Sequence, residues 1–225
     1  MRESEKTNVH RSAGFMRTYL AGSVIDIGSG SDPVTMQAEC FDVVDGDANE
    51  ILKFRPAESY DCVYSSHCLE HMNDPRSALR QWWALIRHGG YLVLVVPNED
   101  LYEQGYWPSL FNEDHKATFR IGGTTSWSPV SIDLHELVSY LPGSKIISEE
   151  IQDDGYDYRL QGSGAAHIGL LRRFGNRLIR VATCSRGFRW IAHSILRLLA
   201  ALGTPVDQTR GAALAQIQIV ARKCP

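Results

Sequence analysis

Three stretches of this 225-residue chain, and one long loop, hold side chains whose types and spacing could do chemistry. In the first, Gly28 and Gly30 follow the apolar run Val24–Ile27. Glycines there let the backbone turn sharply and leave room for a ligand on the main chain. Pro33, after Ser31 and Asp32, reads as the first position of a helix whose free N–H groups would face that turn. A dinucleotide turn would carry a third glycine where Pro33 stands, so no pyrophosphate site is expected. In the second stretch, Asp45, Asp47 and Asn49 alternate after another apolar run. Acids at a strand end suit ribose hydroxyls. A calcium loop is excluded, because Glu50 stands at its glycine position and Pro56 at its closing glutamate. The third stretch, Tyr60–Met72, contains His67, Glu70 and His71. Two histidines four apart with that glutamate spell an inverted zinc-protease motif. The motif needs a long helix and a later acidic ligand, whereas Asn73, Asp74 and Pro75 break the segment at once, so no metal is expected. Glu70 and His71 can equally brace a helix start.

The elements that must position these residues alternate. Val24–Ile27, Phe41–Val44, Tyr60–Tyr64 and Tyr91–Val96 read as strands. Helices are expected at Pro33 and over residues 75–87, the latter with Ala78, Leu79, Trp82, Trp83 and Leu85 on one face and Gly89-Gly90 as its stop. A helix over 130–141 and strands over Lys145–Ile151 and Leu214–Val220 follow. Alternating strands and helices predict an α/β fold. The form expected is a doubly wound, mostly parallel Rossmann-like sheet with an antiparallel last strand. About fifteen residues separate Gly30 from Asp45, so an αβ unit is trimmed between strands 2 and 4. One domain spans 1–225, with a long loop over 98–128 and a mostly helical insertion over 152–212 before the last strand.

The hydrophobic-hydrophobic-Asp-x-Gly-x-Gly run ending at Gly30 resembles the cofactor turn of class I S-adenosylmethionine-dependent methyltransferases. The Asp-x-Val-x-Ser…Leu-Glu-His run from Asp61 to His71 is similar to the ubiquinone/menaquinone-type members. Asp74-Pro75, the Trp82-Trp83 helix and the Gly89–Pro97 strand extend that resemblance over roughly residues 22–98. Ser31 replaces the usual third glycine. The resemblance implies S-adenosyl-L-methionine as cofactor, with Asp26, Gly28, Ser29, Gly30, Asp45, Asp47, Ala48, Ser66 and His67 around it. It leaves open whether Asp45 or Asp47 holds the ribose.

Ligands bind outside the carboxyl ends of parallel strands, so the 98–116 loop should face the methyl group. His115 is the candidate general base for an attacking hydroxyl. Tyr102, Glu103, Tyr106, Asn112 and Lys116 are candidate acceptor-binding residues, Lys116 for an anionic group. Residues 97–120 also resemble short methyltransferases found with bacterial surface-polysaccharide genes, which implies a sugar, a sugar phosphate or a related glycan precursor as acceptor. The alternatives are a scaffold that keeps the fold without turnover and a zinc hydrolase built on the His67–His71 stretch.

Composition narrows the rest. The net charge of −3, with 44% hydrophobic and 22% charged residues, describes an ordinary globule and not a nucleic-acid binder. Five cysteines with no paired spacing argue against a disulfide framework or a structural zinc site and for a cytoplasmic protein. The first residues are polar, unlike a secretory signal, and no apolar run suits a membrane span. Residues 168–200 carry seven arginines and no acid. A helical hairpin with arginines in water is the plainer reading. Weak peripheral contact with the inner face of an anionic membrane, and a homodimer, are left open.

Overall fold

The computed structural model describes residues 3–123, 125–161, 177 and 189–225. Two short helices open the chain, α1 (Glu3–His10) and α2 (Ala13–Tyr19), the second capped by the Ser12 hydroxyl. The main sheet has six strands: β1 (Val24–Ile27), β2 (Glu39–Phe41), β3 (Tyr60–Ser66), β4 (Ile86–Pro97), β7 (Ser144–Gln152) and β8 (Gln216–Lys223). Their order is β2-β1-β3-β4-β8-β7. β1 pairs in parallel with β2 and β3, and β3 with β4. β8 runs antiparallel to both its neighbours, β4 and β7. This is the mostly parallel sheet with an antiparallel last strand that the sequence predicts.

Apolar side chains alternate between the two faces of that sheet. Leu92, Leu94 and Val96 of β4 join Trp82, Trp83 and Leu79 of helix α3 (Pro75–Ala84) and Leu134, Leu137 and Val138 of α4 (Leu134–Ser139). Val93 turns the other way, onto Cys62, Tyr64, Val220 and Leu20, with Phe15 and Met16 of α2 packed against them. Burial on both faces explains why β4 reads as an unbroken apolar run.

Several boundaries differ from the sequence reading. No helix forms at Pro33, and 28–38 is irregular. The Asp26 carboxylate accepts the Val34 N–H at 2.7 Å and pins this loop instead. β2 ends at Phe41, and the expected strand residues Val43 and Val44 are 87% and 89% exposed. β4 begins at Ile86, so Gly89 and Gly90 lie inside a strand rather than ending a helix. There a Cβ on Gly90 would stand 2.7 Å from the Asp61 carbonyl oxygen. The segment read as a helix over 130–141 splits into β6 (Ser131–Asp133) and α4, with Asp133 as the N-cap. β6 pairs in parallel with β5 (Thr118–Arg120). The 98–128 loop also contains one wide helical turn, Glu99–Glu103, capped by the Asn98 side chain. Of the insertion, a short turn at Tyr158–Leu160 and helix α5 (Arg189–Ala201) are described, whereas Arg172, Arg173, Arg180 and Arg186 lie outside the described residues. Among the described residues, no helix is long and apolar enough to cross a membrane.

Candidate active site

Two cavities open side by side beyond the carboxyl ends of the parallel strands. The first, of about 460 Å³, is lined by Gly28, Asp42, Asp47, Ala48, His71 and Met72, among others. The β1 turn makes its floor. Gly28 has φ +79° and donates its N–H to the Phe41 carbonyl at 2.8 Å. A Cβ there would lie 2.6 Å from the Cys68 Cβ, so only glycine lets the turn and Cys68 meet. Burial pushes the Cys68 thiol up to about 12, which leaves it un-ionised and inert.

Asp42 directly follows β2 and accepts the Gly30 N–H at 2.8 Å. It was missed in the sequence because the strand was drawn through Val44. The drop into the Asp42–Gly46 turn was the signal available. Asp45 accepts the Asp42 N–H at 3.0 Å, is exposed, and does not line the cavity. Asp47 lines it and caps the turn Ala48–Lys53, accepting both the N–H and the side-chain amide of Asn49 at 2.8 Å. Those two donors hold its carboxyl below the ordinary value. Asp26 belongs beneath the turn and not in the cavity: burial raises its carboxyl to about 7. Ser29, Gly30 and Ser66 also stand outside the lining.

The second cavity, of about 240 Å³, is walled by His67, Glu70, His71, Tyr102, Asn112 and His115, among others. His67 therefore belongs here and not with the first cavity, and His71 walls both. The chain after β3 takes φ +53° at His67 and makes only the three-residue turn Leu69–His71. The long helix of an inverted zinc-protease motif is absent from this described segment. Glu70 instead lies central and 1% exposed, with its Oε1 3.5 Å from His67 Nδ1 and 4.0 Å from Nε2 of both His71 and His115. Burial pushes its carboxyl up, but positive charge on the three imidazoles, when they are protonated, outweighs burial and holds it below its ordinary value.

His115 is buried, and its Nδ1 stands 2.7 Å from Glu103 Oε1. Tyr102 stacks on the His115 ring at 5.2 Å. Glu103 thus lies behind His115 rather than in the cavity. The Tyr106 hydroxyl donates to the Gly203 carbonyl at 3.1 Å and ties the loop to the segment after α5. Asn112 lines the second cavity. Lys116 does not: it donates to the His71 carbonyl at 2.8 Å and to Asn73 Oδ1 at 2.9 Å, at the edge of the first cavity.

Residues 7–128 match a family described as a methyltransferase domain. No curated protein matches the chain. Among solved structures, it is similar to a SAM-dependent methyltransferase from Archaeoglobus fulgidus. That likeness has a TM-score of 0.51 and 17% identity and covers 99% of this chain and 95% of that one. It is also similar to the YcgJ protein from Bacillus subtilis, with a TM-score of 0.52 and 13% identity over 98% of this chain and 99% of that one.

Proposed function

From the premise that this chain belongs to the methyltransferase domain family, we propose that it methylates an oxygen of a small polar acceptor, a sugar or sugar phosphate, with S-adenosylmethionine as donor. The observation that carries this reading is His71, which walls both cavities. A donor in the larger cavity and an acceptor in the smaller one would meet across that imidazole.

The larger cavity fits the donor. Its volume lies within the range of small-molecule sites. The cradle at Gly28 is space that a Cβ would fill. Asp42 and Asp47 stand as acceptors for ribose hydroxyls, and the exposed Val43 offers an apolar face at the rim. When bound, S-adenosylmethionine supplies an electrophilic methyl group on a sulfonium.

The smaller cavity prepares the acceptor. Glu103 is acceptor-only, so His115 donates Nδ1–H to it and keeps the Nε2 lone pair for the acceptor's proton. Asn112 and Thr209 offer hydrogen bonds and Tyr102 a ring face, a set that suits a polyol. A nucleophile and a donor held in line by these walls would gain much of the rate of a displacement from positioning alone.

Calorimetric titration with S-adenosylmethionine and S-adenosylhomocysteine, on wild type, Asp42→Ala and Asp47→Ala, tests the donor site. Micromolar binding weakened in both variants is expected, and no binding by folded wild-type protein would overturn the reading. Release of S-adenosylhomocysteine across a panel of sugars and sugar phosphates then tests the acceptor.

A further inference from the structure

We infer that Glu70, His71 and His115 form a site for one divalent transition-metal ion at the wall where the two cavities meet. Glu70 anchors it. Its carboxylate is buried, and neither oxygen is hydrogen-bonded among the described residues. A buried carboxylate without donors is costly unless a cation balances it.

The protons on the surrounding rings are fixed from behind. His71 Nδ1 faces the Asp114 carboxylate at 2.9 Å and its carbonyl at 3.3 Å, both acceptors only. His115 Nδ1 faces Glu103 at 2.7 Å. His67 Nε2 faces Gln216 Oε1 at 3.0 Å, and the Gln216 amide hydrogens go to Thr7 and Gln152. Each of these ring nitrogens must therefore carry the N–H. In their neutral forms, His71 and His115 then turn an Nε2 lone pair toward Glu70. Two imidazole lone pairs and a carboxylate then converge, which is the electrostatic complement of a cation.

The donor chemistry narrows the ion. Ligand atoms of Glu70, His71 and His115 lie within 4.8 Å of one another. Metal bonds of about 2.1 Å set a tetrahedral ligand spacing of about 3.4 Å, so binding draws the groups inward. Two imidazoles and one carboxylate with positions left open suit zinc or ferrous iron better than magnesium or calcium. Glu103 and Asp114 orient the two ligating rings, the arrangement that metal-bound histidines use. His67 Nδ1, 3.5 Å from Glu70, can complete the set.

This inference rests on the acceptor cavity proposed above and changes the use of His115. With the ion bound, Nε2 is a ligand, and an acceptor hydroxyl that joins the ion loses its proton to water at lower pH. The oxygen then forms the new O–C bond as the C–S bond breaks and its electron pair stays on sulfur.

The test titrates metal-free protein with Zn²⁺ calorimetrically and records the visible spectrum with Co²⁺. We expect one Zn²⁺ per chain. Affinity should fall more than about tenfold in Glu70→Gln and His115→Ala and stay unchanged in Asp45→Ala, outside both cavities. Glu103→Gln should weaken binding roughly 10–100-fold without removing a ligand. No uptake, or uptake undiminished in Glu70→Gln, overturns the site. Should the variants not fold, the Co²⁺ spectrum of wild type decides: bands of nitrogen and oxygen coordination support the site and their absence overturns it. S-adenosylmethionine binding measured on the same samples separates the two readings. Cofactor binding without metal uptake overturns this inference alone, and lost cofactor binding in folded wild type overturns the proposed function.

Discussion

The two cavities that share His71 are built by different means. The larger one is local: most of its wall comes from residues 28–72, and its polar atoms are largely committed to turns and caps. The smaller one gathers residues 67–71, 102–115 and 209–216 and is walled by buried titratable groups. On the proposed reading, the first would recognise through backbone shape, where a missing or added Cβ matters most. The second would act through charge, where a proton or an ion matters most. Substitutions on the two sides should therefore fail differently, one in binding and the other in turnover.

The largest separation is expected from His115→Ala. Loss of a positioned base or metal ligand should cut turnover by about 10²–10⁴ while leaving S-adenosylmethionine affinity unchanged. A parallel fall in affinity, measured calorimetrically, would show that the cavities are not independent.

Asp26 tests the foundation of the larger cavity through pH. Burial raises its folded-state value from 3.8 to about 7. The folded protein thus keeps a proton that the unfolded chain has already released. Its contribution to stability is full below about pH 4 and is lost, at about 1.4 kcal/mol per pH unit, as pH rises toward 7. Asp26→Asn should remove that decline, so denaturant unfolding at pH 8 should find the variant more stable than wild type. A gap that does not widen between pH 4 and 8 would show that Asp26 titrates normally.

Asp42→Ala should weaken cofactor binding roughly 10–100-fold, the worth of about 1.5–3 kcal/mol for hydrogen bonds to a charged group. Asp45→Ala should change it little. Equal losses would return the ribose role to the whole Asp42–Asp47 turn. Smallest is Gly28→Ala, whose Cβ would press on Cys68 at 2.6 Å. Overpacking there should cost about 1–3 kcal/mol of stability, seen in urea melts. Adding Cys68→Gly should recover part of the loss. Full recovery would mean that the positive φ of Gly28 costs nothing in alanine.

The same contrast explains what could be read early. The turn at Asp47 and Ala48 was legible because a cap is local, with its partner Asn49 two residues away. His115 and Asn112 line the smaller cavity, in a loop that had to lie beyond the strand ends. Glu103 and Lys116 were assigned to the acceptor on type alone. Nothing in a loop's sequence says that one side chain stands behind His115 and the other reaches back to His71 and Asn73. The helix expected at Pro33 fails for a related reason. Proline and a preceding cap are compatible with a helix start but do not compel one. The buried Asp26 carboxylate takes the Val34 N–H across the fold instead.

By itself the sequence determined where most strands of the sheet and the helix after Pro75 lie, the glycine turn and the acidic turn after it. These follow from hydrophobic periodicity and local backbone geometry, which are properties of neighbouring residues. Only the tertiary structure decided that Glu70 lies at the centre of His67, His71 and His115. Those contacts join β3's end to a loop more than forty residues later, with Gln216 of β8 behind His67. No spacing rule spans such a distance. The grouping exists because burial on both faces of the sheet fixes where the strand ends stand, and the loops between them must converge there.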